Sequence, residues 1–127
     1  MKKKVKAGLA PKLHSKISVD ENVIGRGKVE LLRLVQESGS INGAAKAMGI
    51  NYRRAWFLLE TLQLCFEEPL YTTERGGAAQ GGTKLTKLGD ELVARYATHS
   101  RALDQAAAPF IDWVVSQKRV TPAEVDA

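Results

Sequence analysis

The sequence predicts a mainly α fold with one small β-hairpin wing and a long C-terminal helix. Three observations carry this expectation. Apolar residues recur at helical spacing in successive segments between Lys28 and Leu62. Two strand-like stretches, residues 70–73 and 83–85, enclose a glycine-rich run. A further helical pattern then continues past Leu103. With 127 residues, 44% hydrophobic and 26% charged, the chain suits a single soluble domain with a modest core.

Near the start, residues 14–19 alternate, Asp20-Glu21-Asn22 gives a turn signal, and Val23-Ile24 is a second short apolar stretch. A weak strand or hairpin is expected here. The first helix follows over about residues 28–38, with Val29, Leu31, Leu32 and Val35 on one face and Gly39 as its stop. Ser40 suits an N-cap, since its hydroxyl can accept a hydrogen bond from a first-turn amide. The second helix spans about residues 41–48, and Gly49 permits the positive φ of a tight turn. The third begins near Asn51 and carries Ala55, Leu58, Leu59 and Leu62 on one face, with Glu67-Glu68-Pro69 as its terminator.

The second and third helices, joined through Gly49 with alanines near their crossing, match a helix-turn-helix pattern. The turn alone is equally compatible with an ordinary helical hairpin. A β-hairpin directly behind the third helix would be a wing, with Gly76-Gly77-Ala78-Ala79-Gln80-Gly81-Gly82 at its tip. That run lacks the Gly-Lys-Ser/Thr step of a phosphate-cradling loop. Thr86 caps the last helix, whose apolar face is set by Leu88, Leu92, Val93 and Tyr96. Pro109 is expected to kink it, and Phe110, Trp113 and Val114 resume an apolar stripe suited to packing on a second subunit. The expected organisation is therefore a basic arm with a short strand (1–23), a winged helix-turn-helix (24–86), a kinked dimerisation helix (87–118) and a tail (119–127).

The net charge of +5 suggests a polyanionic partner. Part of the excess lies in Lys2, Lys3, Lys4, Lys6, Lys12 and Lys16, in a stretch that serves equally as a solvated arm or a DNA contact. On the third helix Arg53, Phe57 and Glu60 lie opposite the apolar face, with Arg54 at one border and Tyr52 and Trp56 at the other. A helix end inserted in the major groove offers its first turn to base edges, so Tyr52, Arg53 and Arg54 are the first candidate readers, with Asn51 at the helix start a further candidate DNA contact. The spacing of Trp56 suits packing at the border of the core with its ring edge near the sugar-phosphate backbone. Phosphate contacts are expected from Ser40, Ile41 and Asn42 at the start of the second helix, and from Arg75 and Lys84 flanking the wing tip.

No metal or cofactor site is expected. Cys65, the single cysteine, lies among apolar residues and reads as a packed, reduced thiol. His14 and His99 are far apart without ligand spacing, and no nucleophile–base pair stands out, so an enzyme is not expected. No apolar run approaches the ~18 residues of a membrane span, and no secretory signal is evident, so a cytoplasmic location without membrane contact is expected.

The run Ser38-Gly-Ser-Ile-Asn-Gly-Ala-Ala-Lys-Ala-Met-Gly-Ile-Asn-Tyr-Arg-Arg-Ala-Trp56 resembles the DNA-binding domain of the ModE family of molybdate-responsive regulators. Pro69-Leu70, the glycine-rich stretch, Leu85-Thr86-Lys-Leu-Gly89 and Tyr96 extend the resemblance over about residues 24–105. The N-terminal domains of LysR-type regulators are also similar, but Tyr-Arg-Arg-Ala-Trp and the wing favour ModE. The resemblance implies a dimeric winged helix-turn-helix that binds a palindromic operator in duplex DNA and represses molybdenum-related genes. It assigns reading to Tyr52, Arg53, Arg54 and Trp56, and wing contacts to residues 75–84. Phe57 stands where the family has an acid, and the wing is poorer in glycine and positive charge. The expectation is thus the N-terminal DNA-binding domain without the C-terminal molybdate-binding module, with molybdate binding by this chain alone not expected. The alternative is a stand-alone DNA-binding or interaction module whose effector is sensed by a separate partner protein.

Overall fold

A computed structural model of the chain describes residues 10–74 and 82–119. Along the chain run β1 (Lys16–Val19), β2 (Asn22–Gly25), α1 (Arg26–Ser38), α2 (Ile41–Met48), α3 (Tyr52–Gln63), β3 (Tyr71–Thr73), β4 (Thr83–Leu85) and α4 (Lys87–Gln117). Each strand pair forms its own two-stranded antiparallel sheet. The chain divides into two compact units. One is His14–His99; the other combines the two terminal stretches, of which residues 10–13 and 100–119 are described.

The expected class, mainly α with one β-hairpin wing in a winged helix-turn-helix plus dimerisation helix, is corrected here. The structure has four helices and two small hairpins, and the first hairpin belongs to the His14–His99 unit rather than to a basic arm. The physical reason lies in the pairing of Ile17 with Ile24 around a turn at Asp20, whose φ of 57° an aspartate tolerates. Ile24 then packs against the helical core, which anchors the pair. The glycine-rich tip expected of a wing lies, except for Gly82, outside the described residues, as does Arg75.

In the larger unit, α1 supplies Leu31, Leu32 and Val35, all fully buried, and α3 supplies Leu59 and Leu62. Between them lie the small side chains of Ala44, Ala45 and Ala55, which let helices approach closely. The Ser40 hydroxyl caps α2 by accepting from Gly43 N at 2.8 Å, and the Asn51 side chain caps α3 by accepting from Arg54 N at 2.7 Å. Gly49 takes the left-handed conformation (φ 74°) that ends α2 and lets α3 begin three residues later.

Helix α3 stops at Gln63, before the expected terminator at residues 67–69. Turn hydrogen bonds from Cys65 N to the Leu62 carbonyl and from Phe66 N to the Gln63 carbonyl tighten the chain there. The Gln63 side chain then secures the connection to β3. Its amide nitrogen donates to the Glu68 carbonyl at 2.8 Å, and its oxygen accepts from Leu70 N at 2.8 Å. Leu70 is fully buried.

Thr86 caps α4 as expected: its hydroxyl accepts from Gly89 N at 3.1 Å and donates to the Pro69 carbonyl at 2.7 Å. Helix α4 is continuous to Gln117 with Pro109 inside it. In the smaller unit its residues Phe110 and Trp113 are exposed and stacked, with ring centroids 5.9 Å apart.

Gly89 passes so close to β3 that a Cβ would overlap the Leu70 carbonyl oxygen. Gly89→Ala is expected to destabilise the fold by about 1–3 kcal/mol, the usual cost of overpacking. Urea denaturation measures this, and an unchanged midpoint would show that the helix can yield at this position.

Candidate nucleic-acid interface

The first turn of α3 follows a capped start, so its direction is fixed by the Asn51 side chain and by burial of Ala55 beneath it. Tyr52, Arg53 and Arg54 project from this turn and all are exposed. Among the described residues neither arginine has an acidic partner within ion-pair distance. Of the other described arginines, Arg33 pairs with Glu30 at 2.7 Å and lies 3.6 Å from Glu37, and Arg95 pairs with Glu91 at 2.8 Å, while Arg26, exposed at the start of α1, also has no described acid within ion-pair distance.

Trp56 is half-buried, as its place at the border of the apolar face suggests. It makes edge-on ring contacts on two sides. Tyr52 lies 6.2 Å away at 80°, and Tyr71 of β3 lies 6.5 Å away at 69°. Tyr71 escaped the sequence reading because strand alternation reports burial and says nothing about which ring a side chain meets. Burial, with the Glu60 carboxylate as a smaller contributor, pushes its phenol above the ordinary value. Phe57 projects outward as its spacing indicates, 57% exposed.

The second group of expected contacts divides. Ser40 and Asn42 lie at the surface end of α2, but Ile41 is 3% exposed, so it can offer only its backbone. The Ser40 oxygen is occupied as the cap acceptor, and its carbonyl accepts from the Ser38 hydroxyl at 3.0 Å. Lys84 is exposed on β4, opposite Thr72. The loop end of the β3–β4 strand pair is fastened to the α1–α2 turn, since Thr83 N donates to the Gly39 carbonyl at 2.9 Å. Arg75 lies outside the described residues. The structure thus brings Asn51, Tyr52, Arg53, Arg54 and Trp56 onto one helix end, with Ser40 to Asn42 and Lys84 on neighbouring elements.

Cys65 sits part-buried with its thiol pushed up by desolvation, the direction of an unreactive group. Among the described residues no cluster of three or more His, Cys, Asp or Glu could hold a metal ion. No described helix is long and apolar enough to cross a membrane.

No established family profile matches the chain. Similar proteins nevertheless exist. The molybdenum-pterin-binding protein MopB of Rhodobacter capsulatus is 31% identical over 102 residues, 80% of this chain and 36% of that protein. The molybdenum transport protein ModE of Azotobacter vinelandii is 34% identical over 90 residues, 68% and 33% of the two chains. The DNA-binding transcriptional dual regulator ModE of Escherichia coli K12 is 33% identical over 88 residues, 69% and 32%. The chain therefore spans about a third of the length of the relatives it matches.

These relatives correct the identity expected from the sequence, a ModE-family DNA-binding domain defined by lacking the molybdate-binding module. Relatives of equal similarity are named for binding a molybdenum pterin and for molybdenum transport. The expectation that this chain does not itself bind molybdate is withdrawn with it. The similarity supports a molybdenum-related role.

Stability at alkaline pH reports on the Tyr71 environment. A phenol whose pKa is raised on folding leaves stability intact below its unfolded value of about 10. That contribution is lost as pH rises through the folded value, because the unfolded chain releases the proton first. Tyr71→Phe is expected to unfold less steeply above about pH 10 than the parent protein. Parallel urea titrations across that range check it, and superimposable pH profiles would show that Tyr71 is solvated.

Proposed function

We propose that this protein is a sequence-specific DNA-binding transcription regulator serving molybdenum transport or another molybdenum-related operon, most simply as a repressor. The observation that carries the reading is the exposed first turn of α3, where Tyr52, Arg53 and Arg54 stand together without acidic partners among the described residues. Guanidinium groups so placed can bond bidentately to guanine O6 and N7, and a helix start is the part that meets base edges in the major groove.

Neighbouring groups have a supporting role. The Asn42 side chain and the amides at the start of α2 can meet phosphate, and Lys84 offers a cation from the hairpin strand. The stacked, exposed Phe110 and Trp113 favour a homodimer, and a two-fold protein in turn favours a palindromic operator. The names of the relatives, which include regulators as well as molybdenum-binding proteins, supply the molybdenum connection. In this reading the protein binds and regulates rather than catalyses.

Duplexes selected by the protein from a randomised pool supply the test. Arg53→Ala and Arg54→Ala are each expected to cost about 1–3 kcal/mol of discrimination between the selected duplex and a scrambled one. Lys84→Ala should instead weaken both duplexes alike and lower the slope of log affinity against log salt by about 1. Discrimination left intact in both arginine variants rules out this reading head. For the dimer, Trp113→Ala is expected to shift sedimentation toward the monomer, and an unshifted boundary would place the interface elsewhere.

A further inference from the structure

The three rings Tyr52, Trp56 and Tyr71 form a row that starts on β3 and ends at the exposed turn of α3. Its two ends differ in restraint. The preceding residue, Leu70, is fully buried, donates its N–H to Gln63 and accepts from Thr86 N at 3.0 Å. Strand β3 is also paired with β4, which is fastened to Gly39. Tyr71 is therefore carried on backbone fixed from several directions.

At the other end Tyr52 is 49% exposed, and its described ring contact is with Trp56 one helical turn on. Edge-to-face pairs at these separations have a preferred geometry. Each ring therefore limits the rotamers of the next, and Tyr52 is narrowed to the set that Trp56 permits. Trp56 in turn is narrowed by Tyr71.

We propose that Tyr71 is a positioning residue for sequence reading: through Trp56 it orients Tyr52 beside Arg53 and Arg54, so the β3–β4 hairpin sets the geometry of the reading turn. The proposal rests on the DNA-binding reading above. A ring that only filled space would alter stability and bind all duplexes less well. A positioning ring alters the contrast between a preferred duplex and a scrambled one, because phosphate contacts tolerate small displacements that bidentate base contacts do not.

The experiment measures affinity of the full chain for a duplex selected from a randomised pool and for its scrambled counterpart. Tyr71→Leu keeps apolar volume and removes the ring; Tyr71→Phe keeps the ring. In Tyr71→Leu the ratio of the two affinities is expected to fall about fivefold, the worth of one aromatic pair, while scrambled-duplex affinity stays within about twofold. Tyr71→Phe should retain the ratio. Should the leucine variant not fold, as judged by circular dichroism, Tyr71→Met supplies an adaptable apolar replacement for the same measurement. A ratio retained without the ring, a ratio lost equally in Tyr71→Phe, or a parallel fall for both duplexes would overturn the proposal. If the parent protein selects no preferred duplex, the DNA-binding reading fails and this inference falls with it.

Discussion

Leu70 is the point on which the larger unit turns. Its side chain is fully buried in the core. Its N–H is taken by the Gln63 side chain at the end of α3, and its carbonyl accepts from Thr86 at the start of α4. Gly89 of α4 passes against that same carbonyl. One residue therefore joins the end of α3, the start of β3 and the first turn of α4. A buried backbone group without a partner costs free energy comparable to a lost hydrogen bond, so this arrangement has little freedom to rearrange. The polar side chains that complete it, Gln63 and Thr86, matter for what they satisfy in the backbone.

At the far end of α3 the restraint has a different origin. Gly49 supplies a backbone conformation that places α3 directly after α2, and Ala44, Ala45 and Ala55 keep the buried side chains there small. Larger residues at the alanines would force the helices apart. The exposed turn is thus located by packing at its base, by the Asn51 cap at its start and by the ring row along its side. From this located backbone the side chains of Tyr52, Arg53 and Arg54 extend to the surface.

Much of this was legible in the sequence where physics is local. Spacing of Val29 through Val35 and of Ala55 through Leu62 marks helix faces, while Ser40 and Thr86 mark starts because caps act within three residues; the cap that Asn51 supplies to α3 is added by the structure. The architecture was less legible. Residues of β1 are largely exposed, Ile17 included, so alternation there gives little sign that the hairpin joins the core through Ile24. The early end of α3 was also hidden, since it depends on Gln63 reaching Glu68 and Leu70 across a loop. Candidate readers could be named from their position on a helix, whereas Tyr71 could not, because its contact with Trp56 joins elements far apart in the chain. A resemblance covering one stretch was likewise able to suggest a role but not to delimit what the relatives bind.

Charge placement separates the arginines by task. Arg33 has Glu30 and Glu37 within one turn on either side, and its guanidinium holds the Glu30 carboxyl below the usual carboxylate range. Arg95 has Glu91 one turn before it. Such exposed pairs add little stability, but each occupies a cation locally. On α3 the pattern is absent, for its single acid, Glu60, stands about two turns beyond Arg53 and Arg54 and acts instead on Tyr71. The net charge of +5 is therefore unevenly available. Intrahelical spacing lets acids pair with Arg33 on α1 and Arg95 on α4, while Arg53 and Arg54 stand side by side without a described acid in reach, and the positive end of the helix dipole lies at that same turn. Local charge and backbone polarity thus act in the same direction at the one surface where reading is proposed.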